Sequence, residues 1–254
     1  MSKLLIQPTR LVDVTTPFRL SLGDLWAYKQ CPAQYFHRQE MRKTKAVYAP
    51  AKTETEFTGQ IFHAAISASV ESRKPIIQKG LTEARAIVPD SVETIEERCL
   101  QMLKWGDSVL QRERLRFHWH QRRIEESTGI ELITIFDALR VGDVPTVVEF
   151  KTRNATKISG RDNFQTIVSC WLLADEDTKI VKRKILYFGS GKIIEEQFSR
   201  AQLDNFMAQH VRPDMRRLQN ALKSNENLAQ QRSIGKKCDF CRHFAQCQGT
   251  TVEN

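Results

Sequence analysis

The sequence has no apolar run approaching the roughly 18 to 20 residues that a membrane-spanning helix requires. Its opening, MSKLLIQPTR, lacks a sustained apolar stretch ending in a cleavage site, so no export signal is expected. Internal repeats and low-complexity tracts are also missing, which sets repeat architectures aside. Without an export signal, a disulfide network among the cysteines is not expected either. The expectation is a soluble, cytoplasmic protein with no membrane partner.

Acidic residues are the scarcer charge, 30 Asp and Glu against 39 Lys and Arg, leaving a net charge of +9. That excess favours a polyanionic partner but does not by itself establish nucleic acid. Basic residues recur at Arg153, Lys157 and Arg161, at Lys182, Arg183 and Lys184, and at Arg212, Arg216 and Arg217. With 254 residues, 41% of them hydrophobic, the chain can bury a sizeable core. One domain spanning 1–254 is expected, with a catalytic core over 57–200 and appendages at 15–45 and 225–250.

Along the chain, Ser21 with Asp24 three residues on predicts a capped helix, and Pro32 interrupts it just after Cys31. Two short helices with the cysteine at their junction follow. The polar stretch around Tyr48 to Glu56 reads as irregular. Beyond it, Phe57, Ile61, Ala64, Ala65 and Ala68 form a helical stripe with His63 on its flank. A loop is predicted around Lys74 to Asp90, then a long helix opened by Ser91. Its stripe of Val92, Ile95, Cys99, Met102, Leu103 and Leu110 makes Cys99 a core residue.

From Phe117 the pattern changes to strands. HWHQRRIEE, ELITIFDALRV and PTVVEFKT predict an antiparallel meander with Gly142 and Asp143 in a turn. A helix over about Arg161 to Ala174 precedes two more strands, KILYFG and KIIEEQF. Ser199 with Gln202 opens a final long helix to about Ala221. Strands, a helix and further strands define an α/β or mixed-sheet core.

Side chains alternate faces along a strand, so Glu149 and Lys151 share one face while Phe150 points into the opposite layer. Asp137 lies on the neighbouring strand. Two carboxylates from adjacent strands make a hard-oxygen site suited to Mg²⁺ or Mn²⁺, and a lysine two residues away can orient a water or offset phosphate charge. An isolated E-x-K is often just a solvated strand face. Here it follows the apolar TVV, and Asp137 follows the apolar ITIF, so burying these charges without a metal would be costly. A bare structural ion pair is the competing reading. His118 and His120 in FHWHQ have no visible ligand partner and read as structural, as do Trp26, Trp105, Trp119 and Trp171 in the main.

Cys31 near one end and Cys238, Cys241 and Cys247 in KKCDFCRHFAQC near the other suggest a single four-sulfur site. Spacing alone leaves zinc and an iron–sulfur cluster open.

Taken in order, these motifs resemble the PD-(D/E)xK nuclease superfamily, in particular its RecB-like branch that carries an iron–sulfur cluster. SLGDLWAYKQCPAQY is similar to the N-terminal cysteine motif and GQIFH to the histidine motif. ITIFD with VVEFKT resembles the acidic core, and DNFQ and the terminal C-x2-C-x5-C complete the order. The nearest resemblance is to the CRISPR-associated exonucleases of the adaptation machinery and related iron–sulfur exonucleases. It implies a restriction-endonuclease-like mixed β-sheet flanked by helices, with the N- and C-terminal segments joined at the four cysteines.

The resemblance further implies that His63, Asp137, Glu149 and the backbone carbonyl of Phe150 bind Mg²⁺ or Mn²⁺. Lys151 would position the attacking water, and Gln165 would contact the substrate or the lysine. Cys31, Cys238, Cys241 and Cys247 would hold a [4Fe-4S] cluster, with zinc as the alternative. The implied activity is hydrolysis of DNA, as an exonuclease on single-stranded ends. It would serve CRISPR adaptation or DNA repair and recombination, with an integrase or recombination protein as partner. The family usually has a glycine where this chain has Thr134 and a tyrosine where it has Ser169. A non-catalytic DNA-binding or adaptor module with a cysteine-ligated metal is the alternative function.

Overall fold

The computed structural model describes residues 17–44, 53–111, 113, 115–155, 157–233 and the positions 238, 241, 243 and 247. The chain divides into two compact units, one of Met1–Ala46, Arg122–Ile133 and Ala208–Asn254, the other of Val47–Gln121 and Thr134–Met207.

In the first unit, strand β1 (Arg19–Ser21) runs parallel to the start of β3 (Ile130–Arg140). Helices α1 (Leu22–Gln30) and α2 (Pro32–Thr44) meet at Cys31, as the sequence predicts. Ser21 caps α1 by accepting the Asp24 N–H at 3.1 Å. Pro32 occupies the first position of α2, where its missing N–H is no loss. Lys29 reaches Asp214 at 2.8 Å, and the Ala33 N–H donates to the Gln231 carbonyl at 3.2 Å.

The second unit carries helices α3 (Glu54–Ser67), α4 (Val70–Arg85) and α5 (Val92–Leu110), strand β2 (Leu115–Glu125) up to its boundary, and the later part of β3. It continues through β4 (Thr146–Lys151), α6 (Gly160–Leu173), β5 (Ile180–Tyr187), β6 (Lys192–Ser199) and most of α7 (Arg200–His210). Strand pairing follows the order β1-β3-β4-β5-β6, with β2 also on β3. β3 is antiparallel to β4, β4 parallel to β5, and β5 antiparallel to β6, which makes the expected mixed sheet; of the expected meander, the β3–β4 pair is antiparallel and β2 pairs with β3.

Three expectations needed correction. The segment read as a loop from Lys74 is helix α4, whose Ile77, Leu81 and Ala84 are buried at helical spacing despite Pro75. Gly80 on this helix is a close contact: a Cβ there would stand 2.3 Å from Cγ1 of Ile61 on α3. Helix α3 itself starts inside the stretch read as irregular, because Thr53 and Glu56 form a reciprocal capping box; residues 45–52 lie outside the described residues. The final long helix is two, α7 and α8 (Arg212–Lys223). Pro213 has no N–H to continue α7 but is tolerated in the first turn of α8. The reciprocal Ser199 and Gln202 bonds do open α7.

The core of the second unit joins α3, α4 and α5 to one face of the strands through Phe57, Ile61, Phe62, Cys99, Ala138, Val148, Phe150 and Phe188. Cys99 is fully buried, as predicted. Ring centroids of Phe62 and Phe188 lie 4.4 Å apart, and those of Phe188 and Phe150 lie 5.5 Å apart. This aromatic chain fastens α3 to β4. Such buried rings are each worth about 1.5–3 kcal/mol in transfer from water.

Candidate active site

The β3–β4 ladder pairs Ala138 with Val148, and extending that antiparallel register by one residue sets Asp137 opposite Glu149. The two carboxylates therefore meet where the ladder stops. In place of a main-chain partner on β3, the Phe150 N–H donates to Asp137 Oδ2 at 2.8 Å. Phe150 points into the apolar core and is buried, so Glu149 and Lys151 share the other face, as the alternation predicts.

His63 arrives from α3, its Nδ1 3.3 Å from Asp137 Oδ1. Lys151 donates to Glu149 Oε1, and its Nζ lies 3.7 Å from Asp162 Oδ1 on α6. His63, Asp137, Glu149 and Lys151 are all half-buried, so each remains reachable from solvent. Of the residues singled out by sequence, these four come together. Gln165 sits half-buried on α6 and makes no side-chain hydrogen bond among the described residues.

Charge in this cluster is unevenly distributed. Burial, then the neighbouring Asp137 charge, pushes the Glu149 carboxyl up to about 7 against the pull of Lys151. Burial also pushes Asp137 up, but the hydrogen bond and charge of His63, with the Phe150 N–H, outweigh it and hold the carboxyl below its ordinary value. For His63, burial lowers the pKa, and the hydrogen bond to Asp137 with the charges of Asp137 and Glu149 raises it further than burial lowers it. Lys151 follows the same logic: burial lowers it, while Glu149, Asp162 and Asp137 carry it above its ordinary value.

Among the described residues, no three His, Cys, Asp or Glu side chains are grouped to hold one metal ion. Asp137 is turned to the Phe150 N–H and His63, and Glu149 to Lys151. The donor chemistry nevertheless fits a hard divalent cation. The Asp137 charge raises the proton affinity of Glu149, and a cation that displaced that proton would lower the energy of the pair.

One residue escaped the sequence reading. Asp162, buried on α6, pairs with Arg153, lies beside Lys151 and accepts from the Tyr187 hydroxyl at 3.4 Å. It stands in the DNFQ motif, and the pattern Ser159-x-x-Asp162 marks it as the third residue of a capped helix, with its N–H on Ser159 Oγ at 3.1 Å. Helix capping was the signal, and it points to the backbone of Asp162 rather than to its carboxylate.

The basic clusters fare unequally. Lys182, Arg183 and Lys184 pair with Glu195, Glu196 and Glu113. Arg212 pairs with Glu125 and Arg217 with Asp214, while Arg216 donates to Ser127. Apart from Arg216, these cations are paired with carboxylates of the fold itself. Lys157 and Arg161 are exposed and have no partner among the described residues. His118 and His120 lie on the exposed face of β2 in no metal-holding group among the described residues. Trp171 is buried with its Nε1 on Asp204 at 2.8 Å, and Trp105 packs edge-on against Phe188 at 5.0 Å.

Cys31, Cys238, Cys241 and Cys247 are in no disulfide among the described residues, and each is half-buried. Cys31 Sγ accepts the Ser233 N–H at 3.4 Å. Burial raises the Cys241 thiol, and the charges of Cys31, Cys238 and Cys247 add to that.

The profile of the PD-(D/E)XK nuclease superfamily matches residues 19–248, so the chain belongs to that superfamily. No curated protein matches the sequence. Among solved structures, that of SSO0001 is similar over 94% of this chain and 90% of its own, at 12% identity and a TM-score of 0.46. Membership supports a nuclease.

Proposed function

We propose that this chain is a metal-dependent DNA nuclease that hydrolyses phosphodiester bonds, acting as an exonuclease on single-stranded ends. The observation that carries the reading is Asp137 opposite Glu149 at the end of the β3–β4 ladder, with Lys151 on the same face. His63, Asp137, Glu149 and the Phe150 carbonyl would hold one or two Mg²⁺ or Mn²⁺ ions. When bound, such an ion polarises the scissile phosphate and lowers the pKa of the attacking water.

The protein's own groups do the rest. Lys151, kept protonated by its carboxylate neighbours, orients the water and offsets charge on the phosphate. Gln165, with its amide uncommitted among the described residues, contacts the strand or the lysine. Cys31, Cys238, Cys241 and Cys247 hold a [4Fe-4S] cluster, or zinc in its place, as a staple of the first unit; four soft thiolates suit either. CRISPR adaptation and DNA repair or recombination share this chemistry, and gene neighbourhood distinguishes them along with the integrase or recombination partner.

The test is cleavage of end-labelled single- and double-stranded DNA with Mn²⁺ and with EDTA, by the anaerobically purified protein and by Lys151→Ala. Cleavage should require the metal and vanish in the variant. Undiminished cleavage by Lys151→Ala would sink the assignment, and DNA binding without any cleavage would leave the adaptor reading. A colourless preparation containing zinc would replace the cluster.

A further inference from the structure

We propose that the depression beside the end of β4 is a phosphate-binding subsite that seats a phosphate of the nucleic-acid strand other than the one being cut. The proposal rests on the nuclease reading and adds where the strand is held. The depression has a volume of about 420 Å³ and is lined by Arg153, Asn154, Ala155, Lys157, Ser159 and Ser190. Apart from Ala155, the described residues of its lining are cations and hydrogen-bond donors, with no carboxylate among them.

Arg153 is already fixed. Asp162 and Ser159 engage one terminal nitrogen of its guanidinium. A guanidinium has five N–H donors in a rigid fork, so further donors remain for an anion, and little conformational freedom is left to lose on binding. Lys157 supplies a second cation with no partner among the described residues, whereas Lys182, Arg183 and Lys184 in the same unit are neutralised by carboxylates. Ser159 and Ser190 add hydroxyls, and Asn154 an amide. Asp162 does not repel an anion here, because Lys151 and Arg153 offset its charge and it is buried.

The location matters as much as the chemistry. Arg153 stands two residues beyond Lys151, at most about 7 Å along an extended chain. A phosphate held at the depression therefore lies a short step along the strand from the group facing Lys151. The 152–154 segment is held close by Gly189, where a Cβ would stand 2.7 Å from the Thr152 carbonyl oxygen and 2.6 Å from Asn154 Oδ1.

The experiment measures binding of a fluorescent oligonucleotide to the full chain by anisotropy, in EDTA, across a range of KCl concentrations. The variants are Lys157→Ala and Ser190→Glu, with Lys79→Ala, an exposed lysine of α4, as control. Both site variants should bind about ten-fold more weakly. Lys157→Ala should also reduce the salt slope by about one, while Lys79→Ala binds as the parent does. Oligonucleotides with and without terminal phosphates identify the source: a loss seen only with phosphorylated ends assigns the subsite to a terminal phosphate, and a loss seen with both assigns it to an internal phosphodiester. If the parent binds and both variants bind equally well with unchanged melting temperature, the subsite is refuted and the nuclease reading stands. A parent that binds no nucleic acid overturns both.

Discussion

The Lys151 ammonium and the Asp162 carboxylate lie 3.7 Å apart, joining the end of β4 to the first turn of α6. Because Arg153 shares the same carboxylate, Asp162 keeps two cations from repelling one another. In Asp162→Asn that charge is gone, and Lys151 gives up its proton more readily. Cleavage should fall by about ten-fold or more, with DNA binding in EDTA largely kept and the alkaline limb of the pH–rate profile moved to lower pH. An unchanged profile would reduce Asp162 to a helix-capping residue.

Glu149 gives a pH prediction with a definite sign. Its folded-state pKa, about 7, lies above the ordinary 4.5, so the fold favours the neutral carboxyl. That contribution is fully present below pH 4.5 and is lost as pH rises through 7. His63, also raised, loses its contribution as pH rises above 6.5, while His37, lowered by burial, works the other way. The clean comparison is therefore against Glu149→Gln. In EDTA, the drop in melting temperature between pH 5 and pH 8 should be larger for the parent, by on the order of 5 °C. Addition of Mn²⁺ at pH 6 should release protons from the parent, and far fewer at pH 8. Equal proton release at both values would count against Glu149 as a ligand.

The Phe62, Phe188 and Phe150 contacts hold α3 on the sheet. Phe188→Ala should destabilise the second unit by about 3–5 kcal/mol, read by urea denaturation. Whatever folded protein remains should bind metal more weakly, because His63 rides on α3. A loss of less than about 1 kcal/mol would mean that the aromatic contacts do not fasten the helix.

Gly189 leaves no room for a methyl group beside Thr152, Arg153 and Asn154. Gly189→Ala should displace that segment and lower cleavage several-fold while far-ultraviolet circular dichroism stays unchanged. Full activity in the variant would show that the segment can shift at no cost.

Much of this site could be read from the sequence because strand alternation and hydrophobic context both operate over a few residues. ITIFD and VVEFKT carry their faces in their order, so alternation alone puts Glu149 and Lys151 on one face and Asp137 on the neighbouring strand. Cys31 at the α1–α2 junction was equally readable from Ser21 and Pro32. What stayed hidden depended on packing between distant segments. Helix α4 forms because Gly80 admits Ile61, although Pro75 and Gly80 taken alone are helix breakers. β1 is three residues long and exists through its pairing with Glu131, Leu132 and Ile133. The pairing of Lys182, Arg183 and Lys184 with carboxylates from β6 and position 113 is invisible to a charge count.

At Asp137 a carboxylate stands in for the missing strand partner of a backbone amide. The usual inactivating change to alanine would remove a chemical group and a piece of sheet together, stranding the Phe150 N–H at a loss of about 1–3 kcal/mol. A dead Asp137→Ala enzyme would thus say little about hydrolysis. Asparagine, whose amide oxygen can still accept that bond, is the substitution that separates architecture from chemistry.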